Sequence, residues 1–323
     1  MNDRTMIVCL GELLIDFVPE ESGQPLEQVP AFQRAAGGAP ANVAAAVAKL
    51  GGYSRFIGKV GNDAFGRYLR STLIEAGVEA ALVETDAART GLAFVSLRKD
   101  GERDFLFFRE PAADMLLEPS ELNDEWLEDA AIYHFGSISL ISESSRAATL
   151  EAARKVKESG GIISYDPNLR PALWPDEETM RQEVLRHIAL ADVVKVSEEE
   201  AAFLLDMEPA EAVHQLLMMG TKAVVVTRGE EGCFVVTRNA MTLVPGFRVK
   251  AVDTTGAGDS FVGAMLYKLV ECGLTADGLE NFFSDEGAVS DIFKFANKVG
   301  AVTTTRRGAI PALPTLAEIE ALQ

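Results

Sequence analysis

Val252-Asp253-Thr254-Thr255-Gly256-Ala257-Gly258-Asp259-Ser260-Phe261 is the stretch on which the reading of this chain turns. It follows a strand-like run, Gly246–Val252, and opens an amphipathic helix reaching about Glu271. Gly256 and Gly258 carry no Cβ, so the backbone of the turn can come close to a ligand. The first helical turn then directs its amide groups, and the positive end of its dipole, at the same place. That is a site for an anion. Asp259 in the same turn is out of keeping with anion binding alone, because its charge repels phosphate. It suits a base beside the point where negative charge is transferred. A plainer reading makes Asp259 the cap of the helix.

Outward from this turn, short apolar or β-branched runs alternate with amphipathic stretches. Strands are expected at Met6–Leu10, Arg55–Val60, Ala131–Phe135, Gly161–Tyr165, Val193–Val196 and Ala223–Thr227. Helices are expected at Ala39–Leu50, Ala64–Ala76, Ser144–Ser159, Glu177–Ala189, Glu198–Leu205 and Ala210–Met219. This alternation predicts βαβ crossovers and a mainly parallel sheet covered on both faces. Two regions, Leu13–Arg34 and Gly91–Arg109, hold strand-like sequence without helices between, and Lys99–Glu102 reads as a hairpin turn. They either pair into a small separate sheet or extend the edge of the large one. Phe105, Phe107 and Phe108 on one strand make both of its faces partly apolar, so it must cover a ligand or a partner subunit. Acidic Thr275–Asp291 reads as a mobile loop.

Three further clusters sit where strands give way to helices. Gly37-Gly38-Ala39-Pro40-Ala41-Asn42 brings backbone close to a ligand, and Asn42 offers both a donor and an acceptor to hydroxyl groups; it also reads simply as a Gly-Pro loop before a tightly packed helix. Asp166-Pro167-Asn168-Leu169-Arg170-Pro171 follows a strand at the edge where open α/β sheets take ligands. Lys195-Val196-Ser197-Glu198-Glu199-Glu200 reads most simply as a capped helix start. No GxxxxGK[ST], GxGxxG after the first strand or GxSxG occurs, which excludes P-loop, dinucleotide-binding Rossmann and α/β-hydrolase chemistry.

Composition narrows the class. The chain has 323 residues, is 48% hydrophobic, and its 30 Lys and Arg against 49 Asp and Glu leave a net charge of −19. That balance opposes binding to nucleic acid or to an anionic membrane. Neither the N-terminal apolar stretch, broken by Glu12 and Asp16, nor any other run reads as a signal or membrane span. Cys9, Cys233 and Cys272 are widely spaced, and His134, His187 and His214 lack zinc-ligand spacing. A cytoplasmic location is the expectation.

Taken in order, Gly11–Asp16, the Gly37–Asn42 cluster, Asp166–Arg170, Thr227-Arg228-Gly229, Asp253–Asp259 and a C-terminal block resemble the ribokinase-like (PfkB) carbohydrate kinase family over essentially the whole chain. Phe107–Leu116 and Gly300–Pro314 are similar, within it, to fructokinases. The resemblance implies a three-layer α/β/α sandwich in one domain over residues 1–323, with a β-sheet lid made of approximately 13–34 and 91–115. It implies transfer of phosphate from ATP to the 6-hydroxyl of D-fructose. Asp259 would be the base, and the amides of Gly256, Ala257 and Gly258 would steady the transferred phosphoryl group. Asp16, Gly37, Gly38, Asn42, Phe107, Arg109, Asn168 and Arg170 would meet the sugar, Arg170 also the phosphate. Lys195, Thr227, Gly229 and Asn297 would line the nucleotide side, together with Gly256 and Gly258. Glu198 would act on Mg²⁺ through water, and Lys195 stands where the ribokinase pattern has Asn. Asp253, Thr255, Thr303, Arg306 and Gly308 occupy the positions of a monovalent-cation site, which implies K⁺. Lids of relatives commonly pair, which implies a homodimer. A second reading is 2-keto-3-deoxygluconate kinase, whose acid substrate would want a cationic clamp from Arg103, Arg109 and Arg170. A third, distant one is a catalytically silent sugar- or nucleotide-binding regulator.

Overall fold

The computed structural model describes residues 4–21, 23–97 and 103–321. In chain order the strands and helices begin with β1 (Met6–Leu10), β2 (Leu14–Pro19), β3 (Phe32–Gly37), α1 (Ala39–Lys49), β4 (Tyr53–Gly61), α2 (Ala64–Glu75) and β5 (Glu79–Thr85). There follow β6 (Leu92–Leu97), β7 (Arg103–Phe108), β8 (Ala130–Gly136), α3 (Glu143–Glu158), β9 (Ile162–Asp166), α4 (Glu177–Ile188), β10 (Val193–Ser197), α5 (Glu198–Leu205) and α6 (Pro209–Met218). The chain ends through β11 (Ala223–Thr227), β12 (Gly232–Val236), β13 (Met241–Pro245), α7 (Ala257–Glu271), α8 (Leu279–Phe283), α9 (Glu286–Thr303) and α10 (Leu316–Ala321).

A nine-stranded sheet runs in the order β13-β12-β11-β10-β9-β8-β1-β4-β5. The seven strands from β11 to β5 are parallel, and β12 and β13 close that edge antiparallel. Inner strands such as β8 are buried along their whole length because helices cover both faces. The period-2 alternation sorts their side chains into two cores. Ile7 and Cys9 of β1 join the core under α1, α2, α7 and α9; Val8 and Leu10 join the core under α3, α4, α5 and α6. The result is a three-layer α/β/α sandwich.

Leu13–Arg34 and Gly91–Arg109 do not extend the large sheet. They form a second sheet of four strands, in the order β3-β2-β6-β7. Its register aligns Asp16, Ala93 and Phe107 in one row. On the other face Phe17 stacks on Phe94 at 4.6 Å, and Phe32 and Phe108 pack edge-on against Phe94. Leu106 and Phe108 remain 47% and 56% exposed. The hairpin turn read at Lys99–Glu102 lies outside the described residues, as does the side chain of Phe105.

Three expectations need correction. Gly246–Val252 is irregular rather than a strand; the chain enters α7 directly, and the nearest strand is β13. Thr275–Asp291 is not a loop: a 3-10 turn, α8 and the start of α9 fill it, and Leu279, Phe283 and Val289 anchor it in the core. The strand pattern also extends beyond the expected set, to β5 and the β12–β13 hairpin. Among the described residues no helix is long and apolar enough to cross a membrane.

Candidate active site

The strand order reverses at β1, which neighbours β4 on one side and β8 on the other. A crevice opens there beyond the carboxyl ends of the parallel strands, where such sheets take ligands. Glu12 follows β1, Ser137 follows β8, Asn168 follows β9 and Glu198 follows β10. The N-termini of α1 and α7 and the small sheet complete its walls.

α7 begins at Gly256, whose φ of +75° turns the chain into the helix, with no side chain capping it. Asp259 is therefore not the cap; it is the third helical residue, and it is buried. Asn42 Nδ2 donates to its Oδ2 at 2.7 Å, and Asn168 Nδ2 lies 3.4 Å from its Oδ1. Burial pushes the Asp259 carboxyl up to about 6, against the hydrogen bond from Asn42 and the charges of Arg170 and Lys195. Neighbouring Asp166 adds to the rise. Asp259 thus stays a base at neutral pH, and a stronger one than an exposed aspartate.

Lys195 brings a cation up to this head. A Cβ placed on Gly258 would stand 3.5 Å from Lys195 Nζ, and Nζ pairs with Asp166 Oδ2 at 3.1 Å. Burial alone would lower the lysine, but the carboxylates of Asp166 and Glu200 outweigh it and hold its pKa above the ordinary value. Lys195 therefore remains charged. The other Asp166 oxygen accepts from Asn168 N at 3.0 Å and fixes Asn168 at a φ of +44°.

On the opposite wall, burial raises the Asp16 carboxyl to about 6, offset by Arg170 and reinforced by Asp259. Gly37 packs against that carboxylate, and Gly38 sits at φ +123°, where a Cβ would collide with the Glu12 carbonyl oxygen. Glu12 is 3% exposed and caps α1 from outside, Oε1 accepting from Ala39 N at 2.7 Å. Burial pushes its carboxyl up to about 7.

The crevice thus gathers Asp16, Gly37, Gly38, Asn42, Asn168, Lys195, Gly256, Gly258 and Asp259. Other expected residues have different company. Arg109 is buried in an ion pair with Asp114, and so does not stand open to an anionic ligand. Arg170 is exposed and donates to Leu169 O at 2.8 Å, but its charge still acts on Asp16 and Asp259 from the rim of the crevice. Ala257 N bonds Thr254 O at 3.3 Å, leaving Gly256 and Gly258 as the better anion donors. Thr227 Oγ1 lies 3.4 Å from Val196 O, Asn297 Nδ2 donates to the carbonyls of Val244 and Pro245, and Gly229 faces open space. Glu198 pairs with Arg228 at 3.1 Å.

Behind α7, Asp253 joins two loops. One oxygen accepts from Thr255 N and Oγ1 at 2.9 and 2.7 Å, the other from Gly308 N at 2.9 Å. Thr303 Oγ1 bonds Val299 O, and Arg306 pairs with Glu318 at 2.6 Å. Among the described residues no group of three or more His, Cys, Asp or Glu could hold a metal. Sequence reasoning passed over Asp166, Glu12 and Glu200 as individual residues. Asp166 and Glu12 lie within stretches already singled out, and Ser197-x-x-Glu200 has capping-box spacing.

The chain matches the family described as pfkB family carbohydrate kinase over residues 4–316. It is 50% identical over 319 residues to a protein named Fructokinase-1 of Zea mays, covering 98% of this chain and 97% of the other. Its structure is similar to that of a fructokinase with bound ATP from Xylella fastidiosa, at a TM-score of 0.91 and 41% identity over 98% and 97% of the two chains. It is also similar to a double mutant of fructokinase from Vibrio cholerae O395 in a form with fructose, ADP and potassium ion bound. There the TM-score is 0.85, with 36% identity over 99% of both chains.

Proposed function

This chain belongs to the pfkB family of carbohydrate kinases, and on that premise we propose that it is a fructokinase, moving the γ-phosphoryl group of ATP to the 6-hydroxyl of D-fructose. The observation that carries the mechanism is the buried Asp259 carboxylate, held by Asn42 at the uncapped head of α7. The sugar O6–H proton passes to Asp259 as the bond from O6 to the γ-phosphorus forms and the bond to the β,γ-bridging oxygen breaks, releasing ADP. The amides of Gly256 and Gly258 and the Lys195 ammonium hold the charge on the phosphoryl oxygens. Asp16, Asn42 and Asn168 take sugar hydroxyls, with Gly37, Gly38 and Phe107 shaping that wall. Arg170, exposed at the rim, serves sugar or phosphate. Thr227, Gly229 and Asn297 belong to the nucleotide side. The small sheet, 13–34 with 91–115, acts as a lid on a single domain and keeps water from the phosphoryl group.

Buried Arg109 also speaks to substrate class. The second reading, a sugar-acid kinase, needs a cationic clamp, yet of its expected members Arg109 is already neutralised by Asp114, and Arg170, exposed at the rim, faces the carboxylates of Asp16 and Asp259. A neutral sugar suits that balance. Comparing kcat/KM for fructose, ribose and 2-keto-3-deoxygluconate tests the assignment; a preference for the acid would sink it.

Glu198, partly exposed at the head of α5, fits Mg²⁺ held mainly by phosphates and water, with one carboxylate beside it. When bound, Mg²⁺ neutralises charge on the β- and γ-phosphates. For K⁺ the donors are hard oxygens, Asp253 with the backbone around Thr255, Thr303, Arg306 and Gly308. K⁺ would add fixed positive charge behind the anion site. Replacing it with a bulky organic cation should slow turnover. Exposed Leu106 and Phe108 beside the Phe94 cluster support pairing of two lids in a homodimer. A cytoplasmic place suits a chain with free cysteines and intracellular substrates.

A further inference from the structure

The small sheet is made of two separate pieces of chain, β2–β3 and β6–β7, so the chain passes between the two sheets four times. One buried cluster of charges, Glu12, Arg109 and Asp114, meets all four passages. Glu12 occupies the first, between β1 and β2. Its Oε1 accepts from Ala39 N at 2.7 Å and so holds the second, between β3 and α1. A Cβ placed on Gly91, in the third, would stand 3.3 Å from both Arg109 Cγ and Asp114 Oδ1. Arg109 and Asp114, paired with each other, lie in the fourth. Gly91 O also accepts from Ile15 N at 3.0 Å, near the start of β2. Burial opposes the charge of Arg109, but Asp114 and then Glu12 more than restore it. Glu12 Oε2 is buried without a hydrogen-bond partner among the described residues, and Arg109 is the cation that favours its charge. A buried ion pair is seldom more stable than apolar residues of its shape, so stability alone does not account for the cluster.

We propose that Glu12, Arg109 and Asp114 are positioning residues: together they pin the root of the lid to the large sheet and so set the row Asp16, Ala93 and Phe107 against the sugar. The proposal rests on the kinase reading and on the part of the small sheet as a lid. Asp16 lies four residues beyond Glu12, and Phe107 two before Arg109, so a shift at the root is carried straight into that row. A misplacement of ~1 Å at a reacting site costs up to ~10²-fold in rate.

Three variants separate position from stability. Asp114→Asn keeps the shape and keeps Arg109, but loses the charge that pairs with it. Arg109→Met with Asp114→Leu removes both charges, which spares the fold an unpaired buried ion. Asp129→Asn, the control, breaks a 2.8 Å pair with buried Arg55 at the amino ends of the strands, away from the crevice. With fructose and MgATP, the first two should raise KM for fructose ~10-fold and lower kcat ~3- to 10-fold, with KM for ATP within ~2-fold. They should also release extra ADP per sugar phosphate formed, as water reaches the phosphoryl group. Asp129→Asn should lower Tm and leave both KM values within ~2-fold. Hydrogen exchange at the Ile15 amide, read without substrates, should quicken in the first two and not in the control. A double variant that keeps the wild-type KM for fructose would make the pair merely structural and overturn the proposal. A rise confined to the variant lacking Arg109 would overturn it too, since the guanidinium would then meet the sugar itself. So would unchanged exchange at Ile15. If wild type phosphorylates no sugar, the kinase reading fails, and the exchange measurement still decides whether the cluster ties the small sheet to the large one.

Discussion

Replacing Asp259 by Asn should abolish most activity and make the protein more stable, and the second effect can be sized. In the fold the carboxyl is raised from 3.8 to about 6, chiefly by burial. At ~1.4 kcal/mol per pH unit, holding it ionised costs the folded state about 3 kcal/mol. Above pH 6 it is ionised in folded and unfolded chains alike, so the whole penalty is present. Between pH 6 and 3.8 the folded protein takes up the proton first, and the penalty shrinks. Below 3.8 both forms are neutral and it is gone. In Asp259→Asn the new side chain would still accept from Asn42 through its carbonyl oxygen. Its amide nitrogen would face that of Asn168 across the present 3.4 Å contact, a donor against a donor costing ~1 kcal/mol. The net gain is about 2 kcal/mol at pH 7.5, or ~4 °C in Tm, falling to zero or slightly below at pH 4. Urea unfolding of both proteins at the two pH values measures it, and a coupled assay at pH 7.5 should show kcat down by at least ~10²-fold. An equal gain at both pH values would mean altered packing rather than relieved charge. A variant less stable than wild type at pH 7.5 would refute the reasoning outright.

The same carboxylate should set the acid limb of kcat/KM near pH 6. Lys195→Met removes a charge that favours ionised Asp259, so the limb should move to higher pH while kcat falls ~10²-fold; an unmoved limb would separate Lys195 from the base. Gly38→Ala combines a φ of +123° with a collision at the Glu12 carbonyl and should cost ~3 kcal/mol or more, by thermal unfolding. Gly229→Ala, at φ +55° with open space around it, should cost ~1 kcal/mol, and similar losses would discount the collision. Leu106→Asp with Phe108→Asp should halve the mass seen by sedimentation at micromolar concentration; a wild type already monomeric at that concentration would remove the homodimer.

Legibility in the sequence followed the strength of local signals. β1 and β11 lie where periodicity placed them because both faces of each are buried, giving unbroken apolar runs. The β12–β13 hairpin was hidden because β13 alternates exposed and buried residues over only five positions, too short to stand out. Gly246–Val252 misled for the opposite reason: Val249 and Val252 suit a strand, yet both are exposed and the stretch pairs with nothing in the sheet. At the site, glycines and Asn-containing turns announce themselves, since their backbone demands are local. Partnerships do not. Nothing near Arg109 in a one-dimensional reading says that Asp114 neutralises its charge, and only the fold brings Glu200 to Leu169.

The helix ends explain how a chain of net charge −19 can take a polyanion. Asp63, Ser142, Asp176, Ser197 and Asp285 each lend a side-chain oxygen to the first turn of α2, α3, α4, α5 and α9. α6 and α8 lack such a cap too, and so do both helices that point into the crevice, α1 and α7, which start at Gly38 and Gly256. Glu12 makes good the loss at α1 by reaching in for Ala39 N. At α7 the N-cap residue, Gly256, offers no side chain at all, and an omitted cap costs ~1 kcal/mol. That cost falls on the one turn that also carries the raised carboxyl of Asp259, so two unfavourable features share a few residues. Each is relieved by the same event. Under the proposed mechanism, phosphate oxygens would satisfy the amide groups, and a sugar hydroxyl would give Asp259 the proton its burial favours. Long-range repulsion from the surface carboxylates is screened over ~8 Å at physiological salt, whereas backbone dipoles act in contact and are not. The net charge therefore governs how the molecule behaves in solution, and in the proposed mechanism it is the uncapped turn that receives the polyanion.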